Sequence, residues 1–366
     1  MKVLHIINSL ATGGAEKLIL ETIPLYKENG VTADLLVLDG TLYPFLAKLQ
    51  SLNCCRIYSI NLGSIYNPLN IIKIIPFLRW YDVVHVHLFP VQYWAVLAKL
   101  LSFSKVKLVF TEHSSSNRRN SGNFLLAKLD SYFYRSFNKI ICITNEVFEV
   151  LSVHTKLSPD NFEIIPNGIN LHAIKTAQPI PKEKICASIE ESDRIIIQVS
   201  SFQEPKDQRT VIKSLTLLPE TVKLVLVGDG PLKAESEKLA ERLQVDKRVV
   251  FLGLRMDVPA LLKASDVVVL SSKYEGLSLA SIEGMASGRP FVASEVPGLR
   301  EIVSNAGVLF EAGNHRALAK QITALLTDKI LYKNTIEACQ KRASQFDIYK
   351  MVDRYVDLYK KVLSKN

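Results

Sequence analysis

Glu275 and Glu283 stand eight residues apart, with Gly276, Leu277 and Ser278 following the first. A carboxylate accepts hydrogen bonds from hydroxyls. If a helix starts at Ser278, with its rise of about 1.5 Å per residue, the two carboxylates reach different parts of one long ligand. The unpaired N–H groups of the helix start lie between them and suit a phosphate. A ligand with sugar hydroxyls at both ends and a diphosphate between them, a nucleotide sugar, fits this layout. The spacing alone is weak evidence, because glutamate is common and such a pair is ordinarily a solvated helix face.

Other residues supply complementary chemistry. Lys206, in Ser200-Ser201-Phe202-Gln203-Glu204-Pro205-Lys206, can act as a point charge on a phosphate. Arg209 is its neighbour and reads equally as a surface charge. Gly13 and Gly14 follow the first apolar run and let a ligand approach the backbone; without the Walker lysine they are no P-loop. Val227-Gly228-Asp229-Gly230-Pro231-Leu232 is a partial dinucleotide fingerprint whose third glycine is missing, which argues against a dehydrogenase. His113 falls at a strand end, where chemistry concentrates. His85 and His87 alternate within a buried run and read as core histidines rather than metal ligands. No D-x-D triplet occurs to hold a hard metal on a diphosphate, and no G-x-S-x-G marks a hydrolase. Helix N-termini, Lys206 and glycine-loop amides can meet the charge without a metal.

These residues need a frame that places them together. Asp266 to Leu270 reads as a buried strand, Ser278 as the cap of a helix that stops near Gly288-Arg289-Pro290, and Phe291 to Ser294 as the next strand. The same alternation recurs along the chain and predicts a doubly wound α/β architecture, whose ligands sit at the C-terminal ends of the strands. Leu171 to Ser192, polar and proline-bearing, reads as a linker. The expected division is 1–172, 173–347 and a final helix from 348 to 366.

With 366 residues, 48% of them hydrophobic, the chain is long enough for two cores. Its five cysteines form no C-x-x-C pair, which predicts a reduced, cytoplasmic chain without a zinc site. Met1 to Leu10 reads as a first strand rather than a signal peptide, and no apolar run approaches the length of a membrane span. The net charge is +9. Between Lys99 and Lys139, eight basic residues, Arg118 and Arg119 among them, face only Glu112 and Asp130. Phe124, Leu125, Leu126, Leu129, Tyr132, Phe133 and Phe137 interleave with them. Such a segment is either an amphipathic surface for anionic lipid or an ordinary helix with an aromatic core stripe. Nucleic acid is not expected, since no binding motif accompanies the charge.

The motifs in combination resemble the retaining nucleotide-sugar glycosyltransferases of family 4, the glycosyl transferases group 1. GGAE at Gly13, TEHS at Thr111, PNGIN at Pro166, EPKDQ at Glu204, VGDGPL at Val227, FLG at Phe251, EGLSLASIEGMASGRPFVAS at Glu275 and VPGLREIV at Val296 occur in the family's order. The resemblance implies a GT-B fold: two Rossmann-like domains facing each other across a cleft, with the last helix returning to the first domain. The N-terminal domain would bind the acceptor and the C-terminal one the donor. It implies that Glu275 holds donor-sugar hydroxyls and Glu283 the ribose. The amides of Gly276, Leu277 and Ser278 would meet the diphosphate or sugar, and Lys206, with Arg209 as its neighbour, would neutralise the leaving diphosphate. Gly13 and Gly14 would close over the donor, His113 would contact the sugar near its reacting carbon, and the base would rest near Gly253, Leu254 and Arg255. Implied too are retention at the anomeric carbon, no metal cofactor, a UDP- or GDP-hexose donor, and a glycan or lipid-linked acceptor of bacterial surface polysaccharide or lipopolysaccharide synthesis. A cytoplasmic enzyme, peripheral on an anionic membrane face, fits this role. The family usually has an arginine five residues before the loop lysine, and here that place is Ser201. The alternative is therefore a catalytically weak GT-B protein that binds nucleotide sugars; an epimerase of the same fold fits the E-x7-E context less well.

Overall fold

The computed structural model describes residues 1–113 and 124–364, apart from the side chains of 124–127. Ser114, Arg118, Arg119 and the side chains of Phe124, Leu125 and Leu126 thus lie outside the described residues. The chain forms two compact units, Met1–Gly168 with Ile348–Asn366, and Ile169–Asp347.

The continuous apolar runs become strands covered on both faces, as parallel sheets require. In the first unit these are β1 (Lys2–Ile7), β2 (Thr32–Val37), β3 (Ile57–Ser59), β4 (Val83–His87), β5 (Lys107–Glu112), β6 (Lys139–Cys142) and β7 (Phe162–Ile164). They pair in parallel in the order β3-β2-β1-β4-β5-β6-β7. The helices α1 (Gly14–Tyr26), α2 (Pro44–Leu52), α3 (Asn70–Ile74), α4 (Val91–Ser102), α5 (Phe124–Arg135) and α6 (Asn145–Thr155) connect them. One core joins Ile19 and Ile23 of α1, Leu35 and Val37 of β2, and Leu46 and Leu49 of α2.

The second unit repeats the plan. Its helices are α7 (Leu171–Thr176), α8 (Lys182–Ile185), α9 (Gln208–Ser214), α10 (Lys233–Arg242), α11 (Val258–Ala264), α12 (Leu279–Ala286), α13 (Pro297–Val303), α14 (His315–Thr327) and α15 (Lys329–Ala343). Its strands are β8 (Arg194–Val199), β9 (Val222–Val227), β10 (Val249–Gly253), β11 (Val267–Leu270), β12 (Phe291–Ser294) and β13 (Val308–Phe310). They form a parallel sheet in the order β10-β9-β8-β11-β12-β13. In both sheets the strand order reverses beside the first strand, between β1 and β4 and between β8 and β11. Loops leaving the C-terminal ends of those strands diverge there and open a crevice.

The last helix, α16 (Ile348–Ser364), belongs to the first unit. Ile348, Val352, Tyr355, Val356, Tyr359 and Val362 recur at three- and four-residue spacing and are buried. Tyr359 Oη meets His85 Nδ1 at 2.6 Å and Tyr26 Oη at 3.2 Å, so α16 is tied to β4 and α1 by polar contacts as well.

Several boundaries differ from the sequence expectation. The units part between Gly168 and Ile169 rather than at 172/173, because Ile169 donates to the Phe346 carbonyl and bridges Asp347 within the second unit. The expected linker carries α7 and α8, and both belong to that unit. In the basic segment, Phe133, Tyr134 and Phe137 are buried, while Lys128, Leu129, Tyr132 and Arg135 are exposed. Phe133 and Phe137 of the aromatic stripe are therefore core, while Leu129 and Tyr132 face solvent. Among the described residues, no helix is long and apolar enough to cross a membrane.

Candidate active site

In the second unit, two loops at the switch point carry the chemistry. One follows β8 and runs from Ser200 to Lys206; the other follows β11 and runs from Ser271 to Ser278. They meet in an ion pair: Lys206 Nζ lies 2.6 Å from Glu275 Oε1. Ser272 Oγ donates to the same carboxylate oxygen at 2.6 Å. Glu275 is buried, and burying such a polar group is costly unless it is paired and hydrogen-bonded, as it is here.

The loops are held by side chains beneath them. Gln198, on β8 and buried, accepts from Ser271 Oγ at 2.9 Å and donates to the Lys206 carbonyl at 2.9 Å. Ser271 Oγ also lies 2.8 Å from the Asp207 carbonyl. Gln208 donates to the Ser201 carbonyl at 2.9 Å and to Ser200 Oγ at 3.0 Å. Asp207 itself takes left-handed backbone angles, with φ 44°, as the chain turns into α9. The sequence reading missed Gln198, Ser271 and Ser272. An isolated glutamine in an apolar strand, aligned with serines at the end of another, was the available signal.

The glycines of Val227 to Leu232 serve this scaffold. A Cβ on Gly228 would sit 2.1 Å from the Ser200 carbonyl oxygen, and one on Gly230 would sit 2.5 Å from that of Phe202. Both have positive φ, 137° and 153°. The Phe202 amide donates to the Asp229 carbonyl and the Leu232 amide to that of Phe202. The turn thus supports the Lys206 loop, and its glycines permit backbone-to-backbone approach rather than ligand approach. Gly298, at the start of α13, has the same use: a Cβ there would lie 2.1 Å from the Glu275 carbonyl oxygen.

The other residues singled out in this unit fall as follows. Leu277 and Ser278 are buried, and Ser278 stands at the N-cap of α12 without a side-chain capping hydrogen bond. Gly276 is half-buried in the same loop. Glu283 is buried in the second turn of α12, not on a solvated face. Arg209 pairs with Glu235 of α10 at 3.3 Å, where both side chains are half exposed. Ser201 brings no charge to the loop; Lys273 is paired with Glu204. Gly253 closes β10 with φ 65°, Leu254 is exposed beyond it, and Arg255 pairs with Asp257 at 2.5 Å.

In the first unit, Gly13 is the N-cap of α1 and Gly14 its exposed first residue. Burial raises the pKa of Glu16, one turn on. His113 follows β5, half-buried, and heads a row of histidines. Its Nε2 lies 3.4 Å from His87 Nδ1, and His87 Nε2 lies 3.1 Å from His5 Nδ1. His5 pairs with His85 across β1 and β4, and His85 meets Tyr359 at 2.6 Å and Thr111 at 2.7 Å. Burial lowers His5 to about 3 and His113 to about 4, and holds His85 and His87 well below the ordinary histidine value. All four are neutral at pH 7. Among the described residues His5 Nε2 has no hydrogen-bond partner. An orphaned buried N–H is rarer than an orphaned acceptor, so the His5 proton belongs on Nδ1. The row then runs outward, His5 to His87 to His113, and leaves His113 with an Nδ1–H donor.

His5, His85 and His87 also bring ring nitrogens within 4.8 Å of one another, a spacing compatible with a metal ion. A cation there would have to replace the His5–His87 hydrogen bond or those of His85.

Residues 12–173 match the family model described as Glycosyltransferase Family 4, and residues 181–342 match the one described as Glycosyl transferases group 1. The chain is 28% identical over 289 residues to an N-acetyl-alpha-D-glucosaminyl L-malate synthase of Bacillus anthracis, covering 77% of this chain and 75% of that protein. It is also 28% identical over 349 residues to a UDP-Gal:alpha-D-GlcNAc-diphosphoundecaprenol alpha-1,3-galactosyltransferase of Escherichia coli, covering 91% and 87%. Its fold is similar to that of Anabaena HepE solved with UDP-glucose, with a TM-score of 0.83, 20% identity, and 99% and 100% of the two chains covered.

Two outcomes are expected. A histidine held neutral in the folded state contributes stability that is present above pH 6.5 and lost as the pH falls, because the unfolded chain takes up the proton first. Between pH 6.5 and about 4, each buried histidine should remove up to about 1.4 kcal/mol per pH unit. Urea unfolding at pH 7 and pH 5 should show this, with a shallower pH slope in His5→Phe; an unchanged slope would contradict it. Gly298→Ala should lower turnover at least tenfold by displacing the Glu275 backbone. Wild-type kinetics in that variant would show that the close approach is not needed.

Proposed function

This chain belongs to the group 1 and family 4 glycosyltransferases and has their GT-B fold, and we propose that it moves a hexose-type sugar, with retention, from a UDP- or GDP-sugar to a hydroxyl of a glycan or lipid-linked acceptor. The observation that carries this reading is the 2.6 Å pair of Lys206 and Glu275. A cation for a leaving phosphate and a carboxylate for sugar hydroxyls stand side by side. The bond between anomeric carbon and phosphate oxygen belongs at that junction. Lys206 and the amides at the start of α12 stabilise the departing diphosphate. Glu275 orients the sugar, and Glu283 takes the ribose hydroxyls. No step calls on a metal.

The acceptor oxygen bonds to the anomeric carbon on the face from which the phosphate oxygen leaves. The acceptor's hydroxyl proton goes to that phosphate oxygen, so no separate carboxylate base is required. The UDP-galactose and the lipid diphosphate in the name of the E. coli relative, and the UDP-glucose bound to HepE, support a nucleotide-sugar donor and a lipid-linked acceptor. We assign the acceptor to the first unit, in cell-surface glycan synthesis. An anionic membrane surface is its setting: Leu100, Leu101 and Phe103 at the end of α4 are exposed, Phe103 to 90%, near Lys99 and Lys105.

Ser201 favours a second reading, a catalytically weak binder, because a lost charge-assisted contact costs about 1.5–3 kcal/mol.

Glu275→Ala should abolish transfer while largely sparing nucleoside diphosphate binding by calorimetry, and Lys206→Ala should lower turnover about 10²–10³-fold. Equal loss of binding and transfer in Glu275→Ala would refute the division of roles. An inverted product anomer by NMR would refute retention, and affinity without turnover across a nucleotide-sugar panel would establish the binder. In flotation, the protein should rise with anionic but not neutral liposomes, and Phe103→Ser should weaken this; equal behaviour on both lipids removes the membrane setting.

A further inference from the structure

The N-terminal ends of the strands of the first sheet carry a cavity of about 500 Å³. Lys2, Thr32, Asp34, Arg56, Tyr58, Arg79, Trp80 and Tyr81 line it. Lys2 and Thr32 open β1 and β2, Arg56 precedes β3, and Arg79 to Tyr81 precede β4. These are strand N-terminal ends. Gly13 and His113 follow the C-terminal ends, and a strand of six residues at about 3.3 Å each separates the two by roughly 20 Å. The cavity is therefore not part of the site described above.

Its charge is one-sided. Three cationic side chains face one carboxylate, and that carboxylate is engaged: Asp34 is buried, accepting from Tyr81 Oη at 2.7 Å and from the Arg56 amide at 2.8 Å. Among the described residues, Lys2 Nζ and the Arg79 guanidinium make no hydrogen bond or ion pair, and the neighbouring Tyr58 favours the charged form of the exposed Arg56 side chain. An anion entering here meets unneutralised cations, with arginine forks suited to carboxylate or phosphate. The aromatic side is built as well. Tyr58 packs edge-on against Phe77 at 4.9 Å between centroids, and Phe77 packs against Trp80 at 5.4 Å. This row fixes the Trp80 ring, which is 57% exposed. A fixed, exposed indole next to hydrogen-bonding groups suits a ligand with one apolar face and a polar rim. A pyranose, with C–H groups on its face and hydroxyls at its edge, has that form.

We propose that this cavity binds an anionic saccharide, a sugar ring bearing a carboxylate or phosphate, with the ring on Trp80 and the acidic group between Arg56 and Arg79. The site does not depend on the identity of the donor or on retention. It gives the first unit a hold on acidic glycan at the end of the sheet remote from His113.

Calorimetry on the full chain tests this with four probes: trigalacturonic acid, glucose 6-phosphate, neutral maltotriose and inorganic phosphate. Trigalacturonate or glucose 6-phosphate should bind at least tenfold more tightly than maltotriose and phosphate, and the better of the two identifies the acidic group. Arg56→Ala/Arg79→Ala and Trp80→Ala should each weaken that binding at least tenfold with unchanged melting temperature. The milder Arg79→Gln and Trp80→Leu serve if either unfolds. Excess UDP should not displace the probe. Binding of phosphate as tight as that of the acidic sugars, equal binding of maltotriose, displacement by UDP, insensitivity to these substitutions, or no binding at all would each overturn the proposal.

Discussion

The candidate site of the second unit depends on one buried amide. Gln198 sits within β8, where an apolar residue would serve the sheet equally well, and its side chain joins two loops that are distant in sequence. The carbonyl oxygen takes the hydroxyl of Ser271, and the amino group holds the Lys206 carbonyl. Without that bridge, the loops leaving β8 and β11 would diverge, as loops at a switch point do. The bridge keeps Lys206 and Glu275 within ion-pairing distance instead. A buried polar group that satisfies several partners rigidifies its surroundings, and a partly satisfied one is costly. The same amide is therefore both a structural joint and a condition for the chemistry above it.

The glycines extend that logic to the backbone. Gly228 and Gly230 let the turn after β9 lie directly on Ser200 and Phe202, and Gly298 lets α13 approach the carbonyl of Glu275. Two separate segments thus press on the two loops. Serines, glutamines and glycines do this work, while the charged residues remain for the ligand.

The first unit solves a different problem with buried polarity. Four histidines stand in or beside the middle strands, where desolvation keeps them neutral. Neutral imidazoles donate on one side and accept on the other, so a row of them has a direction. Tyr359 brings α16 into the network through His85. The last helix of the chain therefore reports on the strand that leads to His87, and the fold of the first unit is complete only when the chain has returned to it.

Much of this was legible in the sequence. The β-branched runs and helical periodicity determined two doubly wound units, because buried parallel strands must be apolar throughout and amphipathic helices must cover them. The order of EPKDQ, VGDGPL and EGLSLASIEG identified the family and pointed to Lys206, Glu275 and Glu283. What the sequence left open was contact between distant segments. Arg209 reads either as a phosphate ligand beside Lys206 or as a surface charge, and its pairing with Glu235 of α10 is a contact that only the packing of α10 beside α9 reveals. The glycines of Val227 to Leu232 read as a ligand turn, yet they face a neighbouring loop. His5 carried no signal at all, since its importance arises from the register that sets β1 beside β4. Local propensity and pattern are properties of neighbouring residues and survive in a one-dimensional text. Strand pairing, helix packing and the hydrogen bonds of buried side chains are properties of position in space, and only the tertiary structure decided them.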